Sequence, residues 1–247
     1  MQIGAQLYTV HDFCTNLDDF ALSLKKVADI GYRTVQVSGV CPYEPQWLKE
    51  QLDKNGLKCV ITHNPAEKLQ EDPVQIARNH DVFDCRYVGL GGHAFGEYTM
   101  ETVENFARIY GPVTKALKEN GKTFMYHNHA REFAKVEGRI VLDRIAELVP
   151  DMGITLDTYW AQFGGADPAY WLEKFSGRIP CIHLKDGDYE QNMMPIGEGN
   201  INFDRIFQMA EAGGTKYMLV EQDRCNGEDP FDCLKRSYDF LKANGFE

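Results

Sequence analysis

The chain has 247 residues, 43 % of them apolar and 26 % charged, so it can build a self-sufficient core and is too apolar to be disordered. Its 26 basic and 37 acidic residues leave a net charge of −11, which repels phosphate backbones and anionic lipid and argues against nucleic-acid or membrane binding. Seven scattered cysteines with no CxxC pair, no basic-then-apolar leader after Met1 and no apolar run of membrane-spanning length give the expectation of reduced thiols in a cytoplasmic protein.

From the N-terminus, the run Ile3–Tyr8 reads as a strand, and Leu17–Ile30 as a helix with Phe20, Leu24, Val27 and Ile30 on one face. Asp18 and Asp19 suit the positive end of that helix, and Gly31 follows its last apolar residue. Strands at Thr34–Val37 and Lys58–Thr62 bracket a helix near Gln46–Lys54, which Asn55-Gly56 stops. A helix over 73–83 then leads to the strand Tyr87–Leu90, and one over 99–119 to the strand Thr123–Tyr126. Helical patterns over 139–148, 168–175, 202–212 and 231–243 alternate with strands Gly153–Leu156, Ile179–Leu184 and Tyr217–Val220. Asp167-Pro168 and Asp229-Pro230 carry helix-start chemistry.

Eight strand-then-helix units of ~30 residues are what an eight-stranded parallel barrel requires. The expected fold is therefore α/β, a (β/α)8 TIM barrel in a single domain over residues 1–247. A doubly wound open sheet would want a Gly-rich turn after the first strand, and Leu7-Tyr8-Thr9-Val10-His11 is not one.

In such a barrel the chemistry sits where strands end. Those ends are Tyr8, Gln36, His63, the Gly91-Gly92-His93 loop, His127-Asn128-His129, Asp157, His183 and Glu221. An Asp after a strand is by itself most often a cap. Asp157, His183 and Glu221 on successive strands instead converge on one mouth, with the oxygen-plus-imidazole mixture that a hard or borderline divalent ion takes. His63 reads as a substrate contact or a buried hydrogen bond, and His129 as a residue orienting a ligand or plain packing. Lys185 reads as an oxyanion contact or a salt bridge to Asp186 or Asp188, and Trp160 as a wall for a sugar ring or a core residue. His93, on its loop, fits a contact or packing equally, while His11 and His80 read as solvated or structural. Gly197-Glu198-Gly199 reads as a loop turn, with phosphate cradling by its amides the alternative.

Several segments together carry a resemblance: Gln6-Leu7-Tyr8-Thr9-Val10, Tyr126-His127-Asn128-His129-Ala130-Arg131-Glu132-Phe133, Leu156-Asp157-Thr158-Tyr159-Trp160, His183-Leu184-Lys185-Asp186-Gly187, Ile196-Gly197-Glu198-Gly199 and Val220-Glu221-Gln222-Asp223. Along essentially its whole length the chain resembles the sugar phosphate isomerase/epimerase family of xylose isomerase-like barrels. The resemblance implies one divalent metal ion (Mn²⁺, Mg²⁺, Co²⁺ or Zn²⁺) held by Glu, Asp, His and Glu. Asp157, His183 and Glu221 match the last three. Where many relatives read Glu-Asn-His this chain reads His127-Asn128-His129, with Glu132 three residues on. Glu132 is then the expected fourth ligand with His127 lining the substrate pocket; the exchange, His127 on the metal and Glu132 a bare base, is the alternative.

The implied chemistry is proton abstraction beside the carbonyl of a keto-sugar or its phosphate through an enediolate, with Glu221, Glu132 and His127 as proton carriers. Tyr8, His63, His129, Trp160 and Lys185 are the expected substrate contacts. Proton return gives epimerisation or isomerisation; loss of a β-oxygen substituent gives dehydration, as in inosose dehydratases, or keto-glycoside lysis. Two other readings compete. An abasic-site endonuclease of the same superfamily needs a three-zinc cluster, for which seven histidines, none close behind Asp157, are too few. A barrel that binds sugar without catalysis would not need Asp157, His183 and Glu221 intact. Barrels of this kind often self-associate, and no apolar stripe decides a homo-oligomer here.

Overall fold

Short β-branched and apolar runs form eight parallel strands in the computed structural model, which describes residues 1–247. They are β1 Gln2–Gln6, β2 Thr34–Val37, β3 Lys58–His63, β4 Tyr87–Leu90, β5 Thr123–His127, β6 Gly153–Asp157, β7 Cys181–Leu184 and β8 Tyr217–Val220. Each strand pairs with its neighbours in sequence, and β1 pairs with β8 through Gln2↔Tyr217 to Ala5↔Val220, closing the barrel. Helices outside the strands complete the (β/α)8 TIM barrel. No helix is long and apolar enough to cross a membrane.

The caps explain where the helices begin and end. Asn16 accepts from the Asp19 N–H to start Leu17–Ile30, and Asp167 and Asp229 do the same for the Pro-initiated helices Pro168–Lys174 and Pro230–Ala243. Gly56 ends Pro45–Asn55 in the left-handed region at φ 63°, a conformation that a side chain resists.

Local chemistry also explains the departures from the sequence pattern. The first strand stops at Gln6 rather than Tyr8, because the Gln6 side chain accepts from Tyr8 N at 2.7 Å and bends the chain into the 3₁₀ helix Leu7–Phe13. β7 starts at Cys181 rather than Ile179; Pro180 has no N–H for a ladder, and its carbonyl accepts from Lys216 and Tyr217 instead. The expected helix over 139–148 begins at Val141, since Arg139–Ile140 pairs with Lys135–Val136 as a two-stranded ribbon.

The main core, 57 buried residues, lies largely between strands and helices. A separate cluster of Val60, Ile61, Tyr87, Met125, Cys181 and Leu219 draws on five strands, some on opposite sides, so it lies within the barrel. Strand side chains alternate, so residues two apart share a face. Met125, Cys181 and Leu219 therefore set the direction of His127, His183 and Glu221, which stand two residues further on, at the C-terminal end of the barrel.

Candidate metal centre

Four side chains meet above that inner cluster: His127 from β5, Asp157 from β6, His183 from β7 and Glu221 just past β8. All four are buried, and one ligand atom from each lies within 4.8 Å of the others. His183 Nδ1 stands 2.8 Å from Glu221 Oε2 and 3.8 Å from Asp157 Oδ2, and His127 Nε2 stands 3.3 Å from the same Asp157 oxygen.

Outer partners fix how each group presents itself. His127 donates its Nδ1–H to the Gly91 carbonyl at 3.0 Å, which turns Nε2 toward Asp157. His183 donates its Nε2–H to Gln36 Oε1 at 2.7 Å, which leaves a lone pair on Nδ1. Gln6 Nε2 donates to Glu221 Oε1 at 2.6 Å, so Oε2 is the oxygen left facing the group. Asp157 divides its work: Oδ1 accepts from Trp160 N at 2.8 Å and caps the helix Thr158–Phe163, while Oδ2 faces the two histidines. The Asp157 amide itself donates to Asn128 Oδ1, so the middle residue of His127-Asn128-His129 holds the strand end.

Neither His183 Nδ1 nor Glu221 Oε2 has a hydrogen-bond partner, although Lys185 Nζ lies 3.0 Å from Oε2. With Nε2–H given to Gln36, Nδ1 and Oε2 present two acceptors 2.8 Å apart beside the Lys185 ammonium, an arrangement that a further cation between them would satisfy. Two nitrogens and two carboxylate oxygens, each oriented by a second hydrogen bond, suit a borderline divalent ion, so the donor set fits a metal.

Burial works against ionisation of Asp157 and Glu221, but the Lys185 ammonium together with the neighbouring histidines outweighs it, and both carboxyls titrate below their ordinary range. Burial lowers His183 and His63. For His127 burial acts in the same sense, but Asp157 overrides it and the ring is raised.

Glu132, expected as fourth ligand, is not in the group. Its oxygens accept from the Tyr126 hydroxyl and the His129 amide, both at 2.8 Å, so its buried carboxylate braces the loop after β5. His127 stands in its place. Lys185 is not bonded to Asp186 or Asp188: its buried ammonium lies 3.2 Å from Asp157, 3.0 Å from Glu221 and 2.8 Å from Asp223, a partner that sequence reasoning missed. Asp186 instead accepts from the amides of Gly187, Gly197, Gly199 and Ile201. The amides offered as a phosphate cradle are thereby occupied, and a Cβ at Gly199 would collide with that carboxylate.

A cavity of about 880 Å³ opens beside the group. Tyr8, His63, His129 and Lys185 line it, as expected of substrate contacts. Tyr8 does so from the 3₁₀ helix, its ring stacked on His11. His63 donates its Nδ1–H to Ser38 Oγ at 3.1 Å, which leaves a lone pair on an unpartnered Nε2. Trp160 is not in the lining; its ring packs on His129, with Lys185 Nζ 5.5 Å from its centre. His93 is packed among Phe95, Phe106 and Tyr110. Gln6 and Gln36, which hold Glu221 and His183, were visible only as polar residues at strand ends.

Residues 24–244 match the family model described as xylose isomerase-like TIM barrel. An inosose dehydratase of Geobacillus kaustophilus is 26 % identical over 81 % of this chain and 79 % of its own length. A sugar phosphate isomerase/epimerase from Parabacteroides distasonis superposes with a TM-score of 0.87 at 21 % identity, covering 99 % of this chain and 94 % of that one. The IOLI protein, solved with a zinc atom, superposes with a TM-score of 0.77 at 14 % identity, covering 98 % and 97 %.

Proposed function

The chain belongs to the xylose isomerase-like TIM barrel family, and from that premise we propose that it is a metal-dependent enzyme that removes the proton beside the carbonyl of a keto-sugar. The observation that carries this reading is the facing pair His183 Nδ1 and Glu221 Oε2, two buried acceptors with their other atoms already anchored. The ligand set proposed is His127, Asp157, His183 and Glu221. When bound there, a divalent ion supplies Lewis-acid polarisation of a carbonyl and offsets the negative charge of an enediolate. The zinc of the IOLI protein supports a metal on this fold without fixing which ion this chain takes.

The chain's own residues do the rest. His63 Nε2, unpartnered and lining the cavity, is the proposed proton acceptor, with Ser38 holding its ring. Lys185, just past β7 and opposite β3 in the strand order, is an ammonium held among three carboxylates that meets a developing oxyanion from the other side. Glu221 remains a proton carrier of the proposal, while Glu132 is given a structural role because its oxygens are engaged. His129 and Tyr8 bound the sugar.

Return of the proton to the substrate carbon gives epimerisation, and return to the neighbouring carbon gives isomerisation. Dehydration is the second reading, favoured by the inosose dehydratase relative. There the electron pair from the broken C–H bond expels the β-hydroxyl, which leaves as water with a proton from the site. Incubating Mn²⁺-loaded protein with a panel of keto-sugars and inososes in deuterium oxide tests both. Deuterium gained beside the carbonyl with the mass otherwise unchanged supports epimerisation or isomerisation, and loss of 18 mass units with a new enone absorbance supports dehydration. Neither signal across the panel, with metal bound, overturns the proposal.

A further inference from the structure

The cavity is larger than the metal centre requires, and its extra space lies to one side. From His63 it runs beneath the loops that follow β2 and β3, to the helix Pro73–Val82. Tyr43, Pro45, Ala66 and Ile76 give this lateral chamber apolar walls. Asn64 and Asn79 give it neutral polar groups. Asn64 donates Nδ2 to Thr62 and Asn79 accepts with Oδ1 from Gln75, which leaves a carbonyl oxygen on one and an amide NH₂ on the other for a ligand.

Fixed positive charge is scarce in the same cavity. Only two lysines line it, Lys68 and Lys185. Lys185 is already paired with three carboxylates, and Lys68 is exposed and adjacent to Glu67. TIM barrels frequently hold a phosphate in the loops after strands seven and eight. Here the amides of the β7 loop are filled by the Asp186 carboxylate, an internal anion in the place of a ligand.

Resting on the proton-abstraction reading above, we infer that the site takes an uncharged keto-sugar carrying a second uncharged ring, the reacting sugar at the metal centre and the second ring in the lateral chamber. A phosphorylated sugar would bring a dianion to a site whose one buried ammonium is committed to three carboxylates and the reacting oxygen, and whose nearest amide nest is closed. A ring with one apolar face and hydroxyl edges matches walls made of Tyr43, Pro45 and two asparagine amides.

Calorimetry on the metal-loaded protein tests this with glucose, cellobiose, phenyl glucoside and glucose 6-phosphate as probes. Either two-ring probe is expected to bind at least about tenfold more tightly than glucose, the scale of burying one ring face. Glucose 6-phosphate is expected to bind no more tightly than glucose, and Lys68→Ala to leave its affinity unchanged. Ala66→Trp, which fills the chamber, should erase the two-ring gain while glucose binding persists; should that variant melt early, Asn79→Leu serves in its place and should reduce the gain. Tighter binding of the phosphate, no gain for either two-ring probe, or a gain that both folded variants retain overturns the inference. Deuterium exchange on a keto-monosaccharide is read separately: if it persists while the two-ring gain is missing, the chamber assignment fails and the reaction class stands.

Discussion

Asp186 and Glu221 are both carboxylates with little exposure near the C-terminal end of the barrel, and the protein treats them in opposite ways. Asp186 receives four backbone N–H groups from its own loop, so its charge is answered by the fold. Glu221 receives one amide donor on Oε1 and leaves Oε2 between the His183 ring and the Lys185 ammonium, with no hydrogen bond of its own. The imidazoles divide likewise. His80 donates Nδ1–H to the Ile76 carbonyl and accepts from the Thr62 hydroxyl, whereas His183 has one nitrogen held and one without a partner. A buried polar group with every valence met stabilises structure; one held on a single side and left open on the other is prepared for something that arrives later.

The sharpest way to break that contrast is at Asp157, which belongs to both categories. Asp157→Ala removes a proposed ligand and a helix cap together. Metal content should fall from about one ion per chain to none, with activity down by more than the roughly 100-fold typical of losing an outer partner alone. Asp157→Asn separates the two roles, since its Oδ1 still caps Trp160. Its melting temperature should stay near wild type while metal is lost, measured by elemental analysis beside a thermal scan. An Asn variant that keeps its metal would place the ion elsewhere.

Asp186→Ala is the mirror experiment. It strands four amides and should destabilise the fold by roughly 3 kcal/mol, from the cost of unsatisfied buried groups, while each chain keeps its metal. Urea unfolding and metal analysis on one preparation check this; loss of metal without loss of stability would reverse the roles assigned here. A smaller effect is expected at the anchors. Gln36→Leu frees the His183 ring to change tautomer and should weaken metal affinity by about 10- to 100-fold with the fold retained. Competition with a fluorescent chelator reads that directly.

These contrasts also mark how far the sequence could be read. The barrel was legible because short apolar runs and capped amphipathic helices alternate eight times, and Asp157, His183 and Glu221 were legible because each closes an apolar run. The anchors were not, because Gln36 meets His183 only after the barrel closes across 147 residues, and nothing local announces the pairing. Glu132 misled for a related reason. The resemblance implied it as a ligand, but the 3₁₀ turn at Ala130–Phe133 swings its carboxylate back onto Tyr126 and the His129 amide. Gly197-Glu198-Gly199 is the loop turn expected of it, and the amides of its glycines are taken by Asp186, which lies only 11 residues before Gly197 but reaches it through the fold of the loop.

The smallest expected effect tests the satisfied half of the contrast through pH. Burial holds His80 down from its ordinary 6.5 to about 4, against the Ile76 carbonyl, which favours the charged ring. Unfolded chains protonate this ring near 6.5 and the folded chain does not until about 4. Its contribution is therefore whole above pH 6.5 and is lost as pH falls toward 4, with a slope approaching about 1.4 kcal/mol per pH unit. Other groups titrate in the same window, so the informative quantity is the difference between wild type and His80→Gln. Urea midpoints taken from pH 7.5 to 4.5 should fall more steeply for wild type, and the two curves should converge at the acid end. Parallel curves would mean that His80 takes up a proton in the folded state as easily as in water, and full hydrogen bonding would then no longer mark a buried imidazole as structural.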